Sequence, residues 1–305
     1  MVTWLFHLMG SMPLWLNHFI GALSGWLSGR LSARHRRVTL DNLMRYARFC
    51  GQPLADGLLA ASLGEQGKGV TELAKVWTAP VEALIELCEP CPSWHYVEAA
   101  KAAGLPIIFV SPHLGCVDIA GRFVANRLPI TALYRPPKQA WLQPLMEAGR
   151  DRGGISTVPA DASGVRALLK TLKAGGNIMI LPDQVPAADK GGAGVWAAFL
   201  GQPAYTMTLL PRLAQTSGAV VLYFFAERLP AGNGYRMHFI PMVGTYAEDG
   251  LRAATQTNEM VERLIDMAPA QYLWGYNRFK RPAGAPAAPT PTSAPAVPTA
   301  HLTRT

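Results

Sequence analysis

Charge is scarce in this sequence, and over its first 29 residues Lys, Arg, Asp and Glu are missing altogether. Charged residues make up 16% of the 305-residue chain and hydrophobic residues 50%, where an average soluble domain carries roughly 25% charged residues. That balance points to a surface that faces lipid. Acidic residues are the scarcer sign: 20 Asp and Glu against 28 Lys and Arg leave a net charge of +8. Nucleic acid, an anionic membrane and an acidic protein all suit such an excess, and composition does not choose among them. Cysteine is equally thin, at Cys50, Cys88, Cys91 and Cys116. Cys88 and Cys91 form a C-E-P-C pair, but no second pair or paired His accompanies it. The spacing therefore argues against both a zinc site and a disulfide framework, and suits a reducing, cytosol-facing domain. No metal or tightly bound cofactor is implied, and no internal repeat is present.

The uncharged opening runs from Trp4-Leu5-Phe6 through Leu14-Trp15-Leu16 to Trp26-Leu27, and Arg30, Arg34, His35, Arg36 and Arg37 follow it. A helix of about 20 apolar residues crosses a bilayer, Trp favours the interface, and a flanking basic cluster stays cytoplasmic. Residues 1–29 thus read as an N-terminal membrane anchor with the rest of the chain inside the cell. A cleaved signal peptide does not fit, because the charges follow the apolar run. Pro13, Asn17, His18 and several glycines interrupt it, so an in-plane or re-entrant anchor and a buried core helix stay open beside a span.

Leu40, Leu43, Met44 and Ala47, then Val70, Leu73, Ala74 and Trp77, fall at helical spacing. From residue 106 short apolar runs alternate with amphipathic stretches. Strands are expected at 106–111, 131–134, 155–158, 177–181, 219–225 and 235–240, and helices near 117–127, 139–150, 163–173, 205–216 and 251–267. The alternation predicts an α/β fold, a mixed and mainly parallel sheet flanked by helices, over residues 30–281. From Pro282 the chain is Pro, Ala and Thr with almost no charge, and 282–305 reads as a disordered tail.

The sharpest local feature is Ser111-Pro112-His113-Leu114-Gly115-Cys116-Val117-Asp118, between the strand Ile107-Ile108-Phe109-Val110 and a helix from about Val117. The carboxyl ends of strands are where open α/β sheets handle ligands. A neutral imidazole there can take the proton of a hydroxyl nucleophile while a carboxylate fixes its tautomer. Residues five apart on one helix do not face each other, so the pair works only if Gly115 turns the chain and folds Asp118 back to His113. For an isolated H-x-x-x-x-D the plainer reading is a polar loop, with His113 bonded to backbone and Asp118 capping a helix.

The company of this motif changes that reading. The stretch resembles the H-x-x-x-x-D motif of the glycerolipid and lipid A acyltransferase superfamily. Downstream elements narrow the likeness to the late acyltransferases of bacterial lipid A synthesis, the lauroyl and myristoyl transferases. Leu133-Tyr134-Arg135-Pro136-Pro137-Lys138 looks like that family's Y-R-P element, and Gly149-Arg150-Asp151-Arg152 and Gly164-Val165-Arg166 match its next two basic elements. Leu181-Pro182-Asp183-Gln184 resembles its P-D-Q/H segment and Phe199-Leu200-Gly201 its F-F-G. Pro269-Ala270-Gln271-Tyr272-Leu273-Trp274 and Arg278-Phe279-Lys280 are similar to its C-terminal signature. Asn42-Leu43 and Glu72 have counterparts too, so the likeness spans about residues 1–281. The chain departs from the family at Gly275-Tyr276-Asn277, where His-Arg is usual, and at Cys116-Val117 inside the motif.

The resemblance implies an O-acyltransferase at the cytoplasmic face of the cell inner membrane. Acyl carrier protein (or acyl coenzyme A) would present a thioester, and His113, oriented by Asp118, would deprotonate a hydroxyl of a lipid A precursor. Cys116 reads as a packing residue and not a nucleophile. Arg135, Arg150, Arg152 and Asp183 are the expected substrate-binding residues, since the guanidinium fork suits phosphate and carboxylate. The plainer readings are a solvated basic face, an internal pair of Arg135 with Asp183, and a structural hydrogen-bond pair of Asp183 with Gln184. Arg278 and Lys280 either anchor the C-terminus or face anionic headgroups. Another acceptor (a glycolipid, an ornithine lipid or a lysophospholipid) is the alternative within the superfamily. A non-catalytic basic protein binding membrane or nucleic acid is the alternative outside it. Against the latter, no nucleic-acid-binding signature is present.

Overall fold

Ile107–Val110 (β1) is a run of four apolar residues buried without alternation, the pattern of a strand covered on both faces. The structure is a computed structural model that describes residues 2–134 and 154–289. In it β1 sits inside a six-stranded sheet, with β2 (Ile130–Tyr134), β3 (Ile155–Pro159), β4 (Asn177–Ile180), β7 (Val220–Arg228) and β8 (Tyr235–Pro241) in the order β3-β2-β4-β1-β7-β8. Every pairing is parallel except that of β8, which runs antiparallel on β7. The sheet is mixed and mainly parallel, as the alternation of the sequence predicts.

Successive residues of β1 face opposite layers. Ile108 and Val110 join a core with α8 (Ala162–Lys173), α9 (Leu209–Ser217) and α10 (Gly250–Met267). Ile107 and Phe109 join a second core with α4 (Leu58–Thr78), α5 (Val81–Ile85), α6 (His95–Ala102) and α7 (Val117–Ala125). A separate antiparallel hairpin, β5 (Gly194–Phe199) and β6 (Gln202–Met207), packs beside α10. The sequence reading placed Tyr205–Met207 at the start of a helix. They belong to β6, and the helix begins at Leu209. The expected helix at 139–150 lies outside the described residues.

Residues 1–29 are expected from the sequence to anchor the chain in a membrane, as a span or in the plane, with a buried core helix as the alternative, and the structure does not support the span. Among the described residues no helix is long and apolar enough to cross a membrane. The segment is broken before Pro13 into α1 (Val2–Ser11) and α2 (Leu14–Leu31), and α3 (Ala33–Phe49) follows. One face of α2 packs on α4, and it is the glycine face. A Cβ on Gly25 would stand 2.0 Å from the Leu63 carbonyl oxygen, and one on Gly67 2.0 Å from that of Gly21. Asn17 donates to the Thr71 carbonyl at 3.0 Å, and His18 meets Glu72 at 2.6 Å. These polar residues interrupt the apolar run because they face protein. The opposite face exposes Trp15, Phe19, Leu23 and Leu27.

At the other end, the first residues of the Pro-rich stretch lie on the domain. Ala285 is buried, and the Trp196 indole donates to the Pro286 carbonyl at 3.0 Å. Residues 290–305 lie outside the described residues.

Candidate active site

His113 stands just beyond the carboxyl end of β1, where the backbone leaves the sheet. Ser111 still pairs with the Ile180 carbonyl at 3.0 Å, and then the chain turns at Gly115, whose φ is +61°. A Cβ there would lie 2.0 Å from the Ala226 carbonyl oxygen, so both conformation and space call for glycine. The loop is held from the other side as well, by Leu273 N–H donating to the His113 carbonyl at 2.9 Å and Gly115 N–H to that of Gln271 at 3.2 Å. α7 begins at Val117, with Asp118 in its first turn.

The carboxylate that grips His113 comes from the adjacent strand. Asp183 follows β4, the parallel neighbour of β1. Its Oδ1 lies 2.8 Å from His113 Nδ1 and its Oδ2 accepts the His113 backbone N–H at 2.9 Å. An ionised carboxylate only accepts, so Nδ1 carries the proton and the lone pair stays on Nε2. The Gln184 amide donates to that lone pair at 3.0 Å from an exposed position. Asp118 makes a different contact, its Oδ1 accepting the Trp77 indole N–H at 3.2 Å. The sequence reading gave Asp118 the orienting role. Here the carboxylate hydrogen-bonded to the ring is that of Asp183, and Asp118 contributes its charge.

Electrostatics follows the geometry. Burial alone would lower the proton affinity of His113, but the charge and hydrogen bond of Asp183, with a smaller contribution from Asp118, leave it raised above 6.5. Burial alone would raise that of Asp183. The His113 ring, its backbone N–H and the Arg278 charge together hold it below the usual carboxylate range. The Asp183 side chain is 3% exposed and that of His113 25%, so the ring is held by a buried carboxylate on its inner edge and is partly exposed on its outer one, where Gln184 meets it.

Comparison with known proteins shows the family to which the chain belongs. The sequence profile of the bacterial lipid A biosynthesis acyltransferases matches residues 1–281. The chain is 30% identical to the lipid A biosynthesis lauroyltransferase of Escherichia coli (strain K12), over 72% of this chain and 71% of that protein. It is 26% identical to the lipid A biosynthesis palmitoleoyltransferase of the same strain, over 74% and 73%. A lipid A biosynthesis acyltransferase of Haemophilus influenzae is 28% identical over 59% and 55%. The chain belongs to the bacterial lipid A biosynthesis acyltransferase family.

In this acyltransferase the other residues singled out by sequence are placed differently from one another. Arg135, Lys138, Arg150 and Arg152 lie outside the described residues, while Arg166 is exposed on α8. Arg278 is buried, donating to the Tyr205 carbonyl and Thr206 hydroxyl, both at 2.8 Å, so it ties the C-terminal segment to β6. Lys280 is exposed, its ammonium over the Tyr276 ring. Cys116 is buried, and burial together with the nearby Glu72 charge pushes its thiol well above its ordinary range, which suits packing and not attack. The Cys88 and Cys91 thiols meet the Leu84 and Met237 carbonyls. Among the described residues no group of three or more His, Cys, Asp or Glu could hold a metal ion. Sequence reading missed Trp77 as the partner of Asp118, for which no local signal exists. It also missed the bond of Gln184 to His113, for which adjacency to Asp183 was a signal.

Proposed function

We propose that this acyltransferase moves a fatty acyl group from a thioester, on acyl carrier protein or coenzyme A, to a hydroxyl of a lipid A precursor. His113 is the general base. The acceptor hydroxyl replaces the Gln184 amide at Nε2 and gives its proton to that nitrogen as its oxygen attacks the thioester carbonyl carbon. The tetrahedral intermediate collapses with cleavage of the C–S bond, and the departing thiolate takes the proton back from the imidazolium. Asp183 keeps the proton on Nδ1 before attack and stabilises the imidazolium after it, and Asp118 adds its charge. The observation that carries this reading is the ring itself, fixed at Nδ1 by a buried carboxylate and capped at Nε2 by the amide of an exposed side chain, Gln184. A lipid A acceptor is supported by the names of the relatives. Arg135, Arg150 and Arg152 are proposed on sequence grounds to contact its phosphates or the acidic carrier.

The reaction is assigned to the cytoplasmic face of the inner membrane, with α2 lying in the plane of the interface. Trp15, Phe19, Leu23 and Leu27 share its exposed face, and the exposed Arg30, Arg34, Arg36 and Arg37 come next. That combination suits an anionic lipid surface. The test is a transfer assay on membranes carrying wild type or His113→Ala at matched expression. Radiolabelled lauroyl-, myristoyl- and palmitoyl-acyl carrier protein are offered with a tetra-acylated lipid A precursor. Transfer that depends on His113 is the expected result. Undiminished transfer by the alanine variant removes His113 as the base. Silence from both moves the acceptor to a glycolipid, an ornithine lipid or a lysophospholipid.

A further inference from the structure

Behind the His113 loop lies a second charged cluster that the reaction does not consume. Glu72, in the middle of α4, is 1% exposed, and Arg228, at the end of β7, is 5% exposed. Glu72 Oε2 accepts Arg228 Nε at 2.9 Å, while Oε1 accepts the Tyr235 hydroxyl at 2.8 Å and faces His18 Nε2 at 2.6 Å. Burial would raise the Glu72 carboxyl, but Arg228 foremost, then His18 and Tyr235, hold it down at about 2. A buried ion pair is a poor way to gain stability, because apolar residues of the same volume do as well or better. Its value must lie in what it holds. Arg228 spends its remaining donors on Glu65 and, through Nη2 at 2.9 Å, on the carbonyl of Gly115.

Gly115 is the left-handed turn between His113 and Asp118, and Arg228 holds it once directly and once through Gln271. Its guanidinium takes the Gly115 carbonyl. Its backbone is bracketed by the Gln271 amide, with Arg228 N–H donating to Oε1 at 2.8 Å and Nε2 donating to the Arg228 carbonyl at 2.9 Å. The Gln271 backbone carbonyl in turn accepts Gly115 N–H. On the far side His18 belongs to α2, whose opposite face is the exposed apolar one.

We propose that Glu72 and Arg228 are positioning residues of the transfer reaction: through the Gly115 carbonyl they set the loop that aims His113, and through His18 they key it to α2. The proposal rests on the reading of His113 as the base. Neither side chain touches His113, so they act through the loop. With Arg228 shortened to Lys the charge survives, but the simultaneous reach to Glu72 and Gly115 is lost.

The test uses the full chain in mixed micelles: wild type, Glu72→Gln, Arg228→Lys and the double variant Glu72→Leu/Arg228→Met. The double variant removes both charges at near-constant volume, and its thermal midpoint shows whether the fold survives the loss of the Glu72 acceptor at Tyr235 and His18. Three quantities are read: the thermal midpoint, kcat and KM for acyl transfer, and the titration of the His113 imidazole by NMR, assigned by its absence in His113→Ala. The expected result is a kcat lower by about 10- to 100-fold with KM within about two-fold, in the double variant as well as the single ones, and a shifted His113 titration. A double variant with a wild-type thermal midpoint, wild-type kcat and unmoved His113 titration overturns the proposal and leaves the pair a structural one. Should wild type transfer nothing to the lipid, the acceptor reading fails by itself, and the His113 titration alone decides the positioning role.

Discussion

Asp183 and Asp118 sit near one imidazole and act on it differently, and the difference is measurable as a pH profile. General-base work needs His113 neutral, and its proton affinity is raised chiefly by Asp183. The acid limb of kcat/KM should therefore fall at a pH above the ~6.5 of an unperturbed histidine. Asp183→Asn removes the dominant charge and the acceptor on Nδ1. The limb then moves to lower pH while kcat drops, by about 10²- to 10⁴-fold. Asp118→Asn moves the limb the same way but less, because Asp118 bonds Trp77 and not the ring. A larger displacement for Asp118→Asn than for Asp183→Asn would reverse the two roles. Stability carries the opposite sign to activity. The raised His113 contributes fully below ~6.5 and loses its contribution as pH rises through its native value. The depressed Asp183 contributes above ~3.9 and loses its contribution as pH falls through its own. The pair therefore steadies the fold most in the mildly acid window where the base is least active. The sequence held the His113 motif in eight contiguous residues, but its partner lies 70 residues away. Only the parallel pairing of β1 with β4 brings their carboxyl ends together, and a pairing of non-adjacent strands leaves no local trace.

At the scale of elements the contact of α2 with α4 depends closely on sequence, because glycines on both helices let the backbones touch. Gly67→Ala would put a methyl group 2.0 Å from the Gly21 carbonyl oxygen, and Gly25→Ala one 2.0 Å from that of Leu63. Each should lower stability by about 1–3 kcal/mol by forcing the helices apart. Gly64→Ala is the control. Its Cβ meets Ala22 at an ordinary 3.5 Å, and helix propensity favours Ala by up to about 1 kcal/mol, so it should be neutral or stabilising. Chemical denaturation of the three variants tests the contrast, and equal losses in all three would show that α2 is not seated on its glycines. A second element-scale device joins α10 to the hairpin. Glu262 accepts the N–H of Leu200, a non-glycine residue at φ +49°. Burial pushes its carboxyl up to about 7, against the opposing pull of that N–H. A raised acid favours the fold below ~4.3 and loses that contribution as pH climbs to about 7. Glu262→Gln, which keeps an acceptor and drops the charge, should raise the thermal midpoint above pH 7 and flatten its pH dependence. An unchanged slope would mean the carboxylate is well solvated. The β5–β6 hairpin itself escaped sequence reading because Ala197-Ala198 and Pro203-Ala204 carry no β-branched alternation, and a short apolar run does not separate strand from helix.

For the molecule as a whole, the alternation of apolar runs was enough to read a parallel sheet, because strands buried on both faces differ sharply from amphipathic helices. The N-terminus was harder to read, since a bilayer and a protein core select the same apolar residues. What separates them is the placement of the polar ones. Asn17 and His18 lie on the face against α4 with the glycines, while Trp15 at 58% and Phe19 at 63% exposure lie on the other. A helix so divided suits the plane of an interface, where each large side chain contributes about 1.5–3 kcal/mol on burial and each nearby Arg about 1 kcal/mol over anionic lipid. The protein should therefore sediment with phosphatidylglycerol-containing vesicles and bind neutral ones less well, and added salt should narrow that gap. The double substitution Trp15→Ser/Phe19→Ser should weaken vesicle binding by at least about 10-fold, since two such side chains are worth more than 1.4 kcal/mol together. Its thermal midpoint in solution should barely move, because neither side chain belongs to the core. An alkaline carbonate wash separates the two modes of attachment. An in-plane helix held by one face is released by it, whereas a spanning helix stays with the lipid. Protein that remained in the washed pellet would return the N-terminus to a span, and would require α2 to leave α4 and expose the buried Asn17, His18 and Glu72.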